Sequence, residues 1–358
     1  MGRSAGAFED ASSFWRRCID SSGEYSVIQH DNRFRESLTQ SPVLASVYQR
    51  CITEREELSS TYAGCDIGDL IKGTVCMTDK GGYYLISEEL GHRGFPLDAS
   101  AARAELIRCL RLIPGIGPVR ERHLKQRGCQ TIRDLRYIRR YQADAQRILR
   151  CIEDGENSKV ESLISERIGR THPLMITASA LSPDENFVFL DIETLGVFSR
   201  PVFLIGSASV RDGKVTLNQF LARDIDEELP ALLAWQASVP EGATLISYNG
   251  RSFDVPYLAD RFAYYGIDHS FSKHQIDLLH ITRRTVGRSQ KNCRLCTIEE
   301  QVLGISRESD LPGAMVPEFY DIYRRTKNPG PLIPIVQHNR QDVLSLVDLY
   351  HHFRELSW

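Results

Sequence analysis

The sequence lacks a long apolar segment and an export signal. No stretch of the 358 residues approaches the roughly eighteen uncharged apolar residues that a membrane helix needs. Residues 1–20 contain arginines but no apolar run of signal-peptide length. We therefore expect a protein without a membrane partner, located in the cytoplasm.

The sequence also lacks a cysteine framework. Its nine cysteines are odd in number and scattered, which is typical of reduced thiols in a chain that is too long to need disulfides. Cys293 and Cys296 form a lone Cys-x-x-Cys, with no second pair and no histidine at zinc-finger spacing. This isolation favours core packing of Cys296 over a zinc site.

The chain has little net charge, but the charge is unevenly distributed. The formal net charge is −3, whereas the stretch from Arg103 to Arg170 holds 16 Lys and Arg against 9 Asp and Glu. A basic middle between acidic ends suggests a polyanionic partner. A solvated charged face is the alternative interpretation.

Residues 1–100 carry no recognisable chemistry. Helical spacing after Pro42 predicts one amphipathic helix, and two strand-like runs at residues 73–77 and 83–86 flank a Gly-rich turn. We predict a small α+β region with a helix and a β-hairpin. Alternation along the second strand would place one of the adjacent Tyr83 and Tyr84 in the core.

The basic stretch contains a specific turn, Pro114-Gly115-Ile116-Gly117-Pro118, followed by a helical pattern. This stretch resembles the helix-hairpin-helix family. Gly115 and Gly117 permit close backbone approach, and the free amides of a helix that begins near Pro118 form an anion site. Four cations that follow would hold neighbouring phosphates: Arg120, Arg122, Lys125 and Arg127. We predict an all-α nucleic-acid-binding domain over residues 101–172, with an ordinary helical hairpin as the alternative.

The stretch from Phe187 to Thr194 predicts a buried strand that ends in two carboxylates. Side chains two apart project to the same side of a strand, so Asp191 and Glu193 can converge on one cation. The spacing alone is weak evidence, because residues 226–228 repeat it as Asp-Glu-Glu. There the acidic residues precede a helical pattern, where they favour the first turn.

Three further strand patterns and a helix follow, which predicts an α/β domain over residues 184–358. Within it, Asn249-x-x-x-Phe253-Asp254 and the later Asp342 join Asp191-x-Glu193. In this order the stretches resemble the three motifs of the DEDD exonucleases. The resemblance covers about half the chain. Residues 293–313 are similar to a YprB-like branch in particular.

The resemblance implies a ribonuclease H-like catalytic fold, a mixed sheet flanked by helices, and two divalent cations, Mg²⁺ or Mn²⁺. Carboxylates suit such ions because hard cations prefer oxygen ligands. By this resemblance Asp191 bridges the metals, Glu193 and Asp342 serve the metal nearer the attacking water, and Asp254 serves the outer ion. Asp277 either binds metal or supports the site.

His338 departs from the usual histidine form of the third motif, because it lies four residues before Asp342 rather than five. On a helix this spacing places both side chains on one face. We expect His338 to act as general base, with water orientation or helix capping as the alternative. Asn249 and Phe253 are predicted substrate contacts, although Phe253 is equally suited to the core.

Together these features predict a metal-dependent 3′-to-5′ exonuclease that acts on nucleic acid, with DNA preferred over RNA. The helix-hairpin-helix segment would hold the substrate's phosphates. Two alternatives stay open: a structure-selective endonuclease with the same metals, and a non-catalytic DNA-binding adaptor with a dormant nuclease fold.

Overall fold

The computed structural model describes residues 42–95, 98–196, 200–269, 271, 274–287, 292–307 and 310–356. The strands are β1 (Thr74–Thr78), β2 (Gly81–Gly91), β3 (Phe187–Thr194), β4 (Val202–Arg211), β5 (Lys214–Leu221), β6 (Thr244–Ser247) and β7 (His274–Asp277). The helices are α1 (Pro42–Thr61), α2 (Ile67–Leu70), α3 (Ala99–Leu106), α4 (Pro118–Gln126), α5 (Ile132–Leu135), α6 (Gln142–Glu153), α7 (Asn157–Arg167), α8 (Leu174–Ser179), α9 (Glu228–Ser238), α10 (Asp254–Tyr264), α11 (Leu278–Thr285), α12 (Leu295–Ile298), α13 (Val316–Thr326) and α14 (Leu332–Glu355). The part of the predicted N-terminal region before Pro42 lies outside the described residues.

The strands form one seven-stranded mixed sheet in the order β1-β2-β5-β4-β3-β6-β7. Each neighbouring pair among β1, β2, β5, β4 and β3 is antiparallel, whereas β6 runs parallel to β3 and β7 runs parallel to β6. The parallel strands therefore present their carboxyl ends at the same edge, beside the apolar run that ends in Asp191 and Glu193. The predicted mixed sheet flanked by helices is confirmed.

The N-terminal hairpin belongs to this sheet. Strand β2 pairs antiparallel with β5 from Tyr84 opposite Leu221 to Gly91 opposite Lys214. Without it, β5 would be an edge strand with a row of unpaired backbone groups. The prediction of a separate region over residues 1–100 is corrected to this extent: its helix and hairpin exist, but the hairpin extends the sheet of the predicted catalytic domain.

Tyr83 and Tyr84 are both buried, which corrects the expectation that only one of them would be. Tyr83 packs in a cluster with Trp235 of α9 and stacks on Phe220 at 5.9 Å. Tyr84 lies in a different cluster with Phe319 of α13. Helices cover both faces of the sheet here, so successive side chains of the hairpin both reach a core.

Helices α3 to α8 have their own apolar core, which includes Leu106, Ile132 and Ile148. Residues 101–172 contain helices α4 to α7 and most of α3, whereas the assignment of a separate all-α helix-hairpin-helix domain stays a prediction. The helical segment from α3 to α8 meets the sheet domain through α8, where Ser179 Oγ lies 2.7 Å from the hydroxyl of Tyr350 on α14.

Strand β7 and helix α13 are among the elements that the sequence does not predict. Strand β7 is only four residues long and three of them are polar, so it gives no periodic signal, and α13 lies in a stretch without a predicted helix. The expected core packing of Cys296 was wrong, because the short α12 turns Ile298 inward and leaves Cys296 exposed. Of the helices described, none has the length and apolar character to cross a membrane.

Candidate active site

Two carboxylates lie at the end of the central strand β3. Between them Ile192 packs into the core, so Asp191 and Glu193 share the opposite side of the strand. Burial and the charges of Asp342, Glu193 and Asp254 raise the pKa of Asp191 well above its usual range. Burial also raises the pKa of Glu193 to about 8, although the charge of His338 opposes this shift.

A third carboxylate, Asp254, begins α10 after the turn that follows β6. The turn is tight: Asn249 has a φ of +67°, and a Cβ on Gly250 would lie 2.3 Å from Ser247 Oγ. Asp254 Oδ1 accepts a hydrogen bond from the backbone N–H of Ile192 at 3.2 Å, which joins this turn to β3. Burial raises the pKa of Asp254 to about 7.

Helix α14 packs against β3 and carries the remaining predicted residues. His338 Nε2 lies 4.0 Å from Glu193 Oε1 and 3.8 Å from Asp342 Oδ2. The ring and the carboxylate therefore share one helix face, as the spacing of four residues predicts. The structure thus brings the four predicted carboxylates and the histidine to one end of the sheet.

This donor set fits hard divalent cations. Burial and neighbouring carboxylates raise the pKa values of Asp191, Glu193 and Asp254, and positive charge bound there would relieve the repulsion. Among the residues that the structure describes, no three His, Cys, Asp or Glu side chains form a preformed metal cage. Arg307 already pairs with Asp342, so a cation at that carboxylate would compete with a guanidinium.

Sequence reasoning missed Asp310, which contacts the histidine directly. Asp310 Oδ1 lies 2.6 Å from His338 Nδ1, so this carboxylate accepts a hydrogen bond from Nδ1–H. The other ring nitrogen, Nε2, faces Glu193 and Asp342. Burial lowers the pKa of His338, but the hydrogen bond to Asp310 and the charges of the nearby carboxylates outweigh it and raise the value to about 9. Burial alone would raise the pKa of Asp310, yet His338 and Arg307 bring it below its usual range.

Arg307 is a second residue without an assigned role in the sequence. Its guanidinium bridges the fully buried Glu299, at 2.6 Å, and Asp310, at 2.9 Å, in addition to Asp342. The segment that follows Gly304 therefore positions both site residues of α14. The stretch belongs to the family resemblance, but no spacing rule connects position 310 with position 338.

Asn339 orients Asp191. Its Nδ2 donates to Asp191 Oδ2 at 2.8 Å, and its Oδ1 accepts a hydrogen bond from Gln219 Nε2 at 2.9 Å. Asn339 reaches β3 because Gly206 on β4 has no side chain; a Cβ there would lie 2.2 Å from Asn339 Oδ1. A glycine inside an apolar strand was the available sequence signal for this close approach.

Asp277 supports the turn after β6. Its Oδ1 accepts hydrogen bonds from the backbone N–H groups of Asn249, at 2.8 Å, and Leu279, at 3.1 Å. The backbone N–H of Arg251 donates to the other oxygen at 3.4 Å. Since both oxygens face backbone donors, the geometry favours the supporting role over metal binding.

The two predicted substrate contacts, Asn249 and Phe253, have different environments. Asn249 lines a concavity of about 490 Å³ with Tyr248, Leu279 and Arg283. Phe253 is half-buried against the core, with its ring 5.3 Å from that of Tyr257. Asn249 is therefore open to a ligand, whereas Phe253 combines partial exposure with core packing.

The predicted phosphate-binding hairpin has the expected backbone. Gly115 has a φ of +77°, Gly117 precedes α4, and Pro118 is the first residue of that helix, whose N-terminal amides no side chain caps. The four predicted phosphate-binding cations differ in their surroundings. Arg122 and Arg127 are exposed, whereas Arg120 donates to the carbonyl of Gly115 and Lys125 pairs with Glu121 at 3.2 Å.

A known family model matches the part of the chain that forms this site. Residues 188–354 match the family model RNase_H_2 of the RNase_H superfamily, a stretch that includes all four carboxylates and His338. The uncharacterized protein YprB of Bacillus subtilis (strain 168) is 31% identical over 179 residues, which are 47% of this chain and 41% of that relative. The chain thus spans less than half the length of YprB, and the family model does not extend to the helical segment.

Proposed function

We propose that the RNase H superfamily domain at residues 188–354 makes this protein a metal-dependent 3′-to-5′ exonuclease that hydrolyses nucleic acid. The observation that carries the proposal is the cluster of Asp191, Glu193, Asp254 and Asp342 at one end of the sheet. Burial and the charges of neighbouring carboxylates raise the pKa values of Asp191, Glu193 and Asp254. Strongly perturbed carboxylates at one sheet edge are typical of a catalytic site.

Two divalent cations, Mg²⁺ or Mn²⁺, would supply a hydroxide at neutral pH and stabilise the departing oxyanion. Asp191 would bridge them, Glu193 and Asp342 would hold the ion nearer the attacking water, and Asp254 would hold the outer ion. Asn339 keeps Asp191 in one orientation through the 2.8 Å hydrogen bond.

His338 is the proposed acceptor of the water proton at Nε2. The hydrogen bond to Asp310 keeps the proton on Nδ1, so Nε2 is the ring nitrogen that can accept a proton. A raised pKa keeps the ring protonated while Glu193 and Asp342 are both charged and uncompensated. Positive charge bound by these two carboxylates would lower that pKa and free Nε2 to accept a proton.

We propose DNA as the preferred substrate, with RNA second. The uncapped amides before α4 and the exposed Arg122 and Arg127 suit phosphates without regard to base sequence. A duplex or junction held there would supply an end to the carboxylate cluster.

The test is a digest of end-labelled single-stranded, duplex, nicked and forked DNA and RNA, with Mg²⁺ or Mn²⁺. We expect a ladder that shortens from the 3′ end. Asp191→Asn should slow cleavage on the order of 10²–10³-fold, the range for loss of one electrostatic group of an active site, and leave binding intact. The matched control is Asp226→Asn, an exposed acid in the second Asp-x-Glu stretch, which should cleave at the wild-type rate.

Two outcomes would replace the proposal. Cutting of a closed single-stranded circle would identify an endonuclease, because an exonuclease requires an end. Activity that is the same in wild type and Asp191→Asn, with nucleic-acid binding retained in both, would identify a binding adaptor with a dormant nuclease fold.

A further inference from the structure

A groove of about 580 Å³ lies where the helical segment meets the sheet domain. One wall comes from α7 and the residues after it, and the other from the turn after β6, the start of α10 and strand β7. The polar residues that line it are Ser158, Glu161, Ser162, Ser165, Glu166, Arg170, Arg251, His274 and Gln275. Both parts of the protein thus contribute to one concave surface.

Two guanidinium groups line this groove from opposite walls. Arg170 is held by Ser165, whose Oγ accepts from Nε at 2.8 Å. Burial and the charge of Arg170 lower the pKa of Arg251, which Asp277 offsets in part. Within the described parts of the chain, neither guanidinium lies within ion-pair distance of a carboxylate. Two cations that face each other without a counterion indicate a place for an anion.

The acids of the groove do not neutralise this pair. Glu161 is turned inward, where it accepts from Asn157 Nδ2 at 3.0 Å and lies 3.4 Å from His274 Nδ1. Burial raises the pKa of Glu161, although Asn157 and His274 oppose this shift. Glu166 is exposed at the rim. Side-chain hydroxyls at Ser158, Ser162 and Ser165 add neutral hydrogen-bonding groups of the kind that contact phosphate oxygens.

The groove lies beside the turn and helix that carry Asp254. Arg251 lies in the turn that Asp277 holds by its backbone, three positions before Asp254. Val255 and Pro256, which follow Asp254 on α10, form part of the wall. The groove and the carboxylate cluster therefore share the start of α10, which places the groove next to the proposed metal site.

We propose that this groove binds the sugar–phosphate backbone of the substrate strand, with Arg170 and Arg251 each contacting a phosphate. The proposal rests on the proposed nuclease function. It adds a binding surface that lies outside the hairpin at Gly115 and that the helical segment and the catalytic domain build together. Guanidinium groups suit phosphate oxygens because their donors match them in pairs.

The test is binding of a fluorescently labelled single-stranded oligonucleotide, followed by anisotropy in EDTA so that no cleavage occurs. Arg170→Ala and Arg251→Ala should each weaken binding roughly tenfold at low salt, as expected for loss of a charged hydrogen bond. Each should also lower the slope of log affinity against log salt by about 1, and the double variant by about 2. Arg170→Lys and Arg251→Lys should keep the slope.

The matched control is Arg211→Ala, an exposed arginine at the end of β4 that does not line the groove. It should bind like wild type, and thermal melting should show that every variant is folded. Unchanged affinity and slope in both groove variants would overturn the proposal, as would an equal loss in Arg211→Ala. Wild-type protein that binds no oligonucleotide in EDTA would overturn the groove, whereas the digest with Mg²⁺ or Mn²⁺ tests the nuclease separately.

The two proposals fail in different ways. Wild-type protein that binds in EDTA through Arg170 and Arg251 but cleaves nothing with Mg²⁺ or Mn²⁺ would retain the groove and remove the nuclease. Cleavage by wild type with unchanged KM and kcat in the groove variants would retain the nuclease and remove the groove.

Discussion

Two Asp-x-Glu stretches have the same spacing and opposite environments. In the second, Glu228 is fully buried on α9, and its oxygens accept from Arg261 at 2.7 and 2.6 Å, from the hydroxyl of Tyr265 at 2.7 Å and from the backbone of Val202 at 2.8 Å. In the first, Glu193 has His338 Nε2 at 4.0 Å and three carboxylates around it.

The difference shows how the fold separates structural from functional charge. A buried carboxylate that serves stability has donors on both oxygens, because an unpaired buried charge is very costly. A carboxylate that is kept for a ligand is left with repulsive neighbours and a raised pKa. The contrast predicts that loss of the carboxylate charge will have opposite effects at the two positions.

The largest effect is expected for loss of the structural carboxylate. Glu228→Ala leaves Arg261 buried without its partner and should lower the free energy of unfolding by about 3–5 kcal/mol. Glu193→Gln should leave the metal-free protein as stable as wild type, or more stable, at pH 8, because it removes a repelled charge. Urea unfolding of both variants measures this contrast. Equal destabilisation would show that Glu193 is also a structural group.

A smaller effect is expected for the histidine and its supporting carboxylate. His338→Ala should lower kcat on the order of 10²-fold, the lower range for a general base, and Asp310→Ala on the order of tenfold. If Asp310 acts only by positioning the ring, Asp310→Ala should have no further effect in the His338→Ala background, and Asp310→Glu should restore part of kcat. Additive losses in the double variant would instead show that Asp310 acts independently of His338.

The smallest effect concerns pH and metal. The folded-state pKa values of about 8 for Glu193 and about 7 for Asp254 exceed the ordinary values of 4.5 and 3.8. Between the ordinary and the raised values these two carboxyl groups bind more protons in the folded protein than in the unfolded chain. Their contribution to stability therefore falls as pH rises and levels off above about pH 8. Mg²⁺ should therefore raise Tm by a few degrees more at pH 8.5 than at pH 5.5.

Thermal melting with EDTA or Mg²⁺ at the two pH values checks this expectation. The Glu193→Gln variant is the control, because it should show a smaller difference between the two pH values. A gain in Tm that does not change with pH would contradict the link between the raised pKa values and metal binding.

The sequence predicts well those features that depend on local pattern. Strand β3 begins and ends at the predicted residues, because an uninterrupted apolar run that stops at two acids has few other solutions. His338 and Asp342 share a face because helical spacing fixes it. These local rules place the catalytic candidates on their elements without any knowledge of tertiary contacts.

Features that depend on distant pairing could not be predicted. Asn339 orients Asp191 only because α14 crosses Gly206, and no local rule connects these positions. Asp310 and Arg307 depend in the same way on a loop that returns to α14. The pairing of β2 with β5 has no connecting turn to set its register, so the hairpin was assigned to a region of its own.

The ladder between β2 and β5 also bears on the order in which the protein is made. Ser87 on β2 and Asn218 on β5, which share a hydrogen bond, are 131 positions apart in the chain. At about 5–20 residues per second, synthesis separates them by on the order of ten seconds. During that interval the hairpin has an unpaired edge, while the helical segment can already fold. We therefore expect mispairing with another molecule first in nascent chains that contain β2 but not yet β5.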